Sequence, residues 1–295
     1  MLSLHYSDFY PGFNPEKNFF SDCFTYLFGN LSIVDNPDSA DINIVSIFGE
    51  NHRYLIHNYP EKTILWLGEN IRPNIYNAKY SLTCDLYDYS FTNIRLPLWF
   101  LEVDWFGYGT GLFSLQDIYE KCVLPGNSTA SDVSKRGFCI AIFNNPEGLR
   151  MSMLKSLNNI SNVVCYGKPF GNWFPTFDSY SSKILKMSSF VFSLCPENSY
   201  FPGYYTEKVL HSKMSGAIPI YMADPHVSVD FRPSSFINIY DFVSSSSFER
   251  HINSLYNDKD SLAALANEPL FAKIPSISPL LNSIFNLTIK IQLSK

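Results

Sequence analysis

Apolar runs of strand length alternate with helix-length segments along most of the chain, and between residues 138 and 239 the alternation is regular. Residues 138–143 and 189–194 carry the aliphatic and aromatic content of buried strands. Residues 217–221 are too few for a helix and read as a further strand. A polar loop, 195–206, and a helix lie between the last two strands. Thr206 is placed to cap that helix, Glu207 and Lys208 open it, and Gly216 occupies the usual stop position. Strand, helix and strand in so short a span imply a parallel pair joined by a right-handed crossover. Earlier in the chain, 42–48 and 63–67 read as strands, 80–83 and 94–96 as shorter ones, and Asn14-Pro15 as the start of a helix that runs to Phe28 and stops at Gly29. Residues 248–257 and 261–266 read as helices. The tail repeats apolar residues at helical spacing over 279–292 and is expected to pack back across the domain junction. The polar, breaker-rich stretch 125–136 is the expected linker. It divides an N-terminal domain, 1–128, joined by the tail 276–295, from a C-terminal domain, 129–275.

This pattern assigns chemistry to particular positions. Open parallel sheets bind ligands at the carboxyl ends of their strands, which is where the loop 195–206 must lie. Backbone N–H groups at the start of the following helix attract phosphate, and Lys208 adds a full positive charge there. Glu207 does not suit a phosphate and is expected to accept hydrogen bonds from ribose hydroxyls. One unit earlier, Asn145 can cap a helix running to about 158, Pro146 fits its first position, and Arg150 sits in its first turn. A guanidinium there can clamp a pyrophosphate bidentately. One cation in a first helical turn is ordinarily a solvated surface charge. Two of them, each following a strand in consecutive units, point to a nucleotide diphosphate. In the N-terminal half, Leu65-Trp66-Leu67-Gly68-Glu69-Asn70-Ile71-Arg72-Pro73-Asn74 ends a strand at Gly68 and leaves Glu69 projecting from its carboxyl end. A carboxylate so placed serves as a turn residue, a cap, or a general base facing an interdomain cleft.

Composition narrows the choice. The chain has 295 residues, is 46% apolar and carries a formal net charge of −5 with no run of Lys or Arg, which argues against a nucleic-acid partner. Most of the 25 Phe and 19 Tyr are expected in the core, leaving a few for sugar-stacking surfaces. The six cysteines show no CxxC, and no His stands at metal-ligand spacing, so reduced structural thiols in a cytoplasmic protein are expected. Asp258-Lys259-Asp260 reads as a helix cap rather than a metal site. The first residues lack a basic n-region and an apolar h-region, and no run of 18 apolar residues occurs.

Residues 190–240 closely resemble the donor-binding core of the α-1,3/4-fucosyltransferases, glycosyltransferase family 10, of bacterial type. Glu197-Asn198-Ser199, Gly203-Tyr204, Thr206-Glu207-Lys208, Ile218-Pro219-Ile220-Tyr221, Asp224-Pro225 and Asp230-Phe231 fall in the family's register, as do Arg150 and Lys183. Gly68-Glu69-Asn70 followed by Pro73-Asn74 is a recurring phrase of the bacterial members, in which the Glu is the proposed base. Arg95-Leu96-Pro97-Leu98-Trp99 also matches. Pro196, Met222-Ala223 and Arg232 depart from the family's usual residues at the border of the nucleotide pocket.

The resemblance implies an α/β chain of GT-B architecture, two Rossmann-like domains facing each other across a cleft. It implies an inverting transfer of L-fucose from GDP-β-L-fucose to a GlcNAc-containing, lactosamine-type acceptor, an oligosaccharide or glycolipid, with no obligatory metal, although Mg²⁺ or Mn²⁺ could stimulate. Arg150, Lys183, Glu197, Asn198, Tyr204, Thr206, Glu207 and Lys208 are then the donor-binding residues and Glu69 the catalytic base; Glu197, or an acceptor-side His such as His52, is the alternative base. The implied location is cytoplasmic, compatible with peripheral association at the inner face of a membrane. A GT-B transferase using another nucleotide sugar, or a glycan- or nucleotide-binding module without catalysis, are the rival readings.

Overall fold

A computed structural model of the chain describes residues 1–171 and 179–294. The chain forms two compact units, Met1–Ser114 with Ser276–Lys295 and Leu115–Pro275. Each is built on a parallel sheet flanked by helices, so the α/β class read from the pattern is the observed one.

The first unit contains β1 (Leu2–Ser7), α1 (Phe19–Phe28), β2 (Leu31–Ile33), β3 (Ile42–Val45), α2 (Asn51–Asn58), β4 (Thr63–Trp66), β5 (Tyr80–Thr83) and β6 (Thr92–Arg95). Its six strands run in the order β2-β1-β3-β4-β5-β6. Every residue of β3, β4 and β5 is buried, as expected of strands covered on both faces. The pairings Ser7 with Val45 and Val45 with Leu65 bring the carboxyl ends of β1, β3 and β4 to one edge of the sheet. The C-terminal helix, Ser278–Leu293, belongs to this unit, where Phe285 stacks on Phe28 of α1 with ring centroids 5.6 Å apart. A separate short pair, β7 (Val103–Asp104) with β8 (Phe113–Ser114), completes the unit.

The second unit contains α3 (Leu115–Ile118), α4 (Ala130–Ser134), β9 (Gly137–Ile142), α5 (Gly148–Asn158), β10 (Val163–Tyr166), α6 (Tyr180–Met187), β11 (Phe190–Leu194), α7 (Glu207–Met214), β12 (Ile218–Tyr221), β13 (Ile237–Asn238), α8 (Ser245–Asn257) and α9 (Lys259–Asn267). Its sheet order is β10-β9-β11-β12-β13. Phe138, Cys139, Phe192, Leu194, Ile218 and Ile220 form the centre of its core with α5, α8 and α9.

Several boundaries differ from expectation for local reasons. The first helix starts at Phe19 rather than at Asn14-Pro15, because Asn14 Oδ1 accepts from the amides of Glu16 (2.9 Å) and Lys17 (3.3 Å) and closes a turn. Asn18 then caps the helix, accepting from Ser21 N at 2.9 Å. Gly29 stops it with φ +78°, as expected. The units divide at Ser114, ahead of the 125–136 stretch; there a Thr129–Asp132 capping box winds α4 instead of a free linker. Among the described residues no helix is long and apolar enough to cross a membrane. None of the six cysteines is bridged, and all but Cys165 are buried.

Candidate functional site

The order β10-β9-β11-β12-β13 fixes where the second unit can bind a ligand. From β9 the chain crosses through α5 to β10 on one side; from β11 it crosses through α7 to β12 on the other. Such a reversal opens a crevice at the carboxyl ends of the two strands. A cavity of about 20 Å³ lies there, with Phe143, Arg150, Lys183, Cys195, Pro196 and Lys208 in its wall. Three cations from three helices thus converge on one point.

Lys208, the second residue of α7, places Nζ 2.9 Å from Glu197 Oε2 and 2.8 Å from Thr206 Oγ1, with Glu207 Oε1 at 3.7 Å. Burial alone would favour its neutral form; Glu197 and Glu207 outweigh that and hold it above the ordinary lysine value, so it stays charged. Burial likewise pushes the Glu207 carboxyl up, but Lys208, Lys183 and His211 around it dominate and hold it at about 2. Its side chain is 30% exposed and therefore remains an accessible acceptor. Lys183, on α6, lies 3.1 Å from His211 Nδ1 of α7.

Arg150 is in the first turn of α5, as expected, yet 98% of its surface is buried; it is 2% exposed. Its Nη1 donates to Asn145 O at 3.0 Å, and its Nη2 to Pro196 O at 2.9 Å and Asn198 Oδ1 at 2.6 Å. The guanidinium lies 5.5 Å from the Phe143 ring centre, and its Nε is buried without a hydrogen-bond partner among the described residues. Burial lowers its pKa. It therefore ties the loop after β9 to the loop after β11 and aligns Asn198. Asn145 and Pro146 do not open the helix as expected; Glu147 is the cap residue, and Asn145 serves Arg150 through its carbonyl. Tyr204 is buried and within electrostatic reach of both Arg150 and Lys208.

Two expected donor-binding residues have other tasks. Glu197 accepts from Thr206 N (2.8 Å) and Tyr221 OH (2.8 Å) on one oxygen, and from Thr206 Oγ1 (2.7 Å) and Lys208 Nζ (2.9 Å) on the other. A carboxylate has about four acceptor sites, and here protein donors fill them. Glu197 is thus a buried anchor behind the crevice rather than a group presented to a ligand. Thr206 stands at the N-cap of α7, but its hydroxyl is spent on Glu197 and makes no cap bond. The sequence placed Tyr221 in the family's register without a role; it sits 24 residues from Glu197 and is brought to it by the β11–β12 pairing.

In the first unit, the ladder continues one residue past β4, with Leu67 N donating to Leu82 O at 3.0 Å, and Glu69 follows half-buried at the carboxyl end. Gly68 is required there: a Cβ would come within 2.7 Å of the Trp66 ring. That ring has no room to move, lying 5.4 Å from Phe9 and 5.3 Å from Phe20. Ile71 N donates to Glu69 O at 2.7 Å and tightens the turn. Arg72 then forks between Asn70 Oδ1 and the buried carboxylate of Asp85, which also accepts from Tyr89 OH. Asp85, unnoticed in the sequence, follows β5 and pins the turn that carries Glu69. His52 is buried at the start of α2, its Nδ1 2.9 Å from Asp8 Oδ2, and its Nε2 has no partner among the described residues.

Two family models match the chain: the C-terminal part of glycosyltransferase family 10 (fucosyltransferase) over residues 134–265, and the N-terminal domain of the α-(1,3)-fucosyltransferase FucT over residues 4–102. The chain belongs to glycosyltransferase family 10. This family-10 chain is 29% identical over 263 residues to the α-(1,3)-fucosyltransferase FucT of Helicobacter pylori, an alignment covering 81% of the chain and 54% of the relative. It is 25% identical over 146 residues to a protein of Acanthamoeba polyphaga mimivirus named as a fucosyltransferase, covering 46% of the chain and 24% of that relative. The chain thus spans about half the length of the first relative and a quarter of the second. A solved α1,3-fucosyltransferase structure superposes with a TM-score of 0.73 at 20% identity, covering 98% of this chain and 90% of that one. Its complex with GDP-fucose gives 0.71 at 19% identity, with 97% and 90% covered. The fold of this family-10 chain is the GT-B one.

Proposed function

We propose that this chain transfers L-fucose from GDP-β-L-fucose, with inversion, to a hydroxyl of a GlcNAc-containing acceptor glycan in α-1,3 or α-1,3/1,4 linkage. The observation that carries this reading is the crevice after β9 and β11, where Arg150, Lys183 and Lys208 converge beside the ionised Glu207. A diphosphate matches the cations, and ribose hydroxyls match Glu207. The GDP-fucose held by a structurally similar α1,3-fucosyltransferase supports the choice of donor.

In the reaction the bond from fucose C1 to the β-phosphate oxygen breaks as an acceptor oxygen bonds to C1 from the opposite face. The acceptor proton passes to a base, and the electron pair of the broken bond leaves with GDP. Lys208 and Lys183 stabilise the charge that grows on the β-phosphate, which is the usual largest catalytic contribution of fixed charges. Arg150 holds the two loops in register for that contact. Glu69 is the base. These protein cations supply the charge stabilisation, so no metal is obligatory, and the proposed transfer continues in EDTA. The test is incubation with GDP-fucose and a panel of GlcNAc-terminated and lactosamine acceptors, with the product anomer read by NMR. An α-linked fucoside formed in chelator supports the proposal. Transfer only from a different nucleotide sugar, or a β-linked product, would overturn it.

A further inference from the structure

A larger cavity, about 760 Å³, lies in the second unit at the carboxyl ends of β12 and β13. Tyr200, from the loop after β11, and Tyr240, just after β13, stand in its wall with ring centroids 5.2 Å apart and planes at 90°. In a chain whose aromatics mostly fill cores, these two are 47% and 49% exposed. Asn238 holds the floor rigid: its Oδ1 accepts from Ala223 N at 3.0 Å and its Nδ2 donates to Ala223 O at 3.1 Å. Asp224 is already engaged by Tyr205 OH and by the backbone amide and Nδ1 of His226. Asp241 is different. It is exposed at the rim, where among the described residues its Oδ1 accepts from Asn238 Nδ2 at 3.2 Å.

Among the described residues the lining contains no Lys, Arg or His, so it does not suit a phosphate or another anion. It offers two aromatic faces at right angles, acceptor oxygens at the rim, and a volume in the range of small-molecule sites. A matching ligand has an apolar face and a ring of hydroxyl donors. We propose that this cavity is a carbohydrate subsite holding one neutral pyranose ring, packed on Tyr200 and Tyr240 and hydrogen-bonded to Asp241. The fucosyltransferase reading above names the two sources such a ring could have: the fucosyl group of the donor or a sugar of the acceptor glycan.

The experiment separates the subsite from that reading. Saturation-transfer NMR on the whole chain, with GDP present, uses L-fucose and methyl β-N-acetyllactosaminide as probes. The wild type transfers saturation to at least one of them; Tyr200→Ala and Tyr240→Ala weaken that binding by about tenfold, the effect of removing one well-packed aromatic contact. Tyr240→Phe keeps it, because the ring face is retained. This readout needs no turnover and stands even if fucosyl transfer itself is not found. Where transfer is measured, a rise in KM for the acceptor alone assigns the ring to the acceptor, and a rise for GDP-fucose with unchanged GDP affinity assigns it to the donor sugar. Equal binding of both probes by wild type and variants, or by none of them, overturns the proposal. A loss of affinity for GDP itself in either alanine variant also overturns it, because the nucleobase would then occupy the cavity.

Discussion

Replacing Glu197 by Gln tests whether this residue is the internal anchor of the donor crevice. The amide keeps the shape and one oxygen, which can still accept from Thr206 N and Tyr221 OH. Its NH₂ must then face the Lys208 ammonium, donor against donor, and the Thr206 hydroxyl has to turn from donating to accepting. Breaking a fully buried ion pair on one side costs about 3–5 kcal/mol. Here the Lys208 side chain is 20% exposed and Glu207 Oε1, 3.7 Å away, remains as a second counter-charge, so about 2–4 kcal/mol is expected. Local opening of α7 reports this directly. At about 1.4 kcal/mol per tenfold, amide hydrogen exchange over residues 206–216 should quicken by about 30- to 700-fold. Mass spectrometry of the corresponding peptides measures it. GDP should slow the exchange again in the variant, since a diphosphate supplies Lys208 with the charge it has lost. Wild-type exchange rates over 206–216 in Glu197→Gln would refute the anchor assignment, and so would an unprotected variant that binds GDP at full affinity.

Other outcomes follow from the same geometry. Lys208→Ala should weaken GDP binding by about 10- to 150-fold, the range for one charge-assisted contact, as read by calorimetry; unchanged affinity would remove Lys208 from the phosphate site. Glu69→Gln should slow transfer by about 10²–10⁴-fold while GDP affinity holds, and retention of more than a tenth of turnover would shift attention to His52. Asp85→Asn strips Arg72 of its buried counter-ion, so kcat should fall while KM for GDP-fucose stays near wild type; an unaltered kcat would show that the turn carrying Glu69 does not need this support. Glu207 titrates at about 2 in the folded chain against 4.5 for the free side chain, so it contributes stability above pH 4.5 that is lost as pH falls toward 2. Thermal midpoints of Glu207→Gln should therefore fall less than those of the wild type across that window, and parallel profiles would contradict the depressed value.

What the sequence determined by itself is the set of features that act over one turn or one strand. Buried strands such as β9 and β12 carry near-continuous apolar residues, and these are visible without any partner. Arg150 and Lys208 were legible because a helix following a strand puts its first turn at the ligand edge whatever else the chain does. Gly29 and Gly216 marked helix ends because a left-handed φ, +78° and +77°, is a property of the residue itself. Two strands were not legible. β13 (Ile237–Asn238) has too few residues to show a period and β10 (Val163–Tyr166) is a half-buried edge strand; pairing with β12 and β9 makes them strands. The roles within the site were decided only by tertiary structure. A carboxylate's function depends on which donors fill it: Glu197 became an anchor once Thr206, Lys208 and Tyr221, 9, 11 and 24 residues away, converged on it. Asp85 supports the Glu69 turn through Arg72, 13 residues away, because β4 and β5 are neighbours in the sheet. Charge and hydrogen-bonding capacity are written in each residue, but burial and the partners that satisfy it exist only after the sheet has set which loops meet.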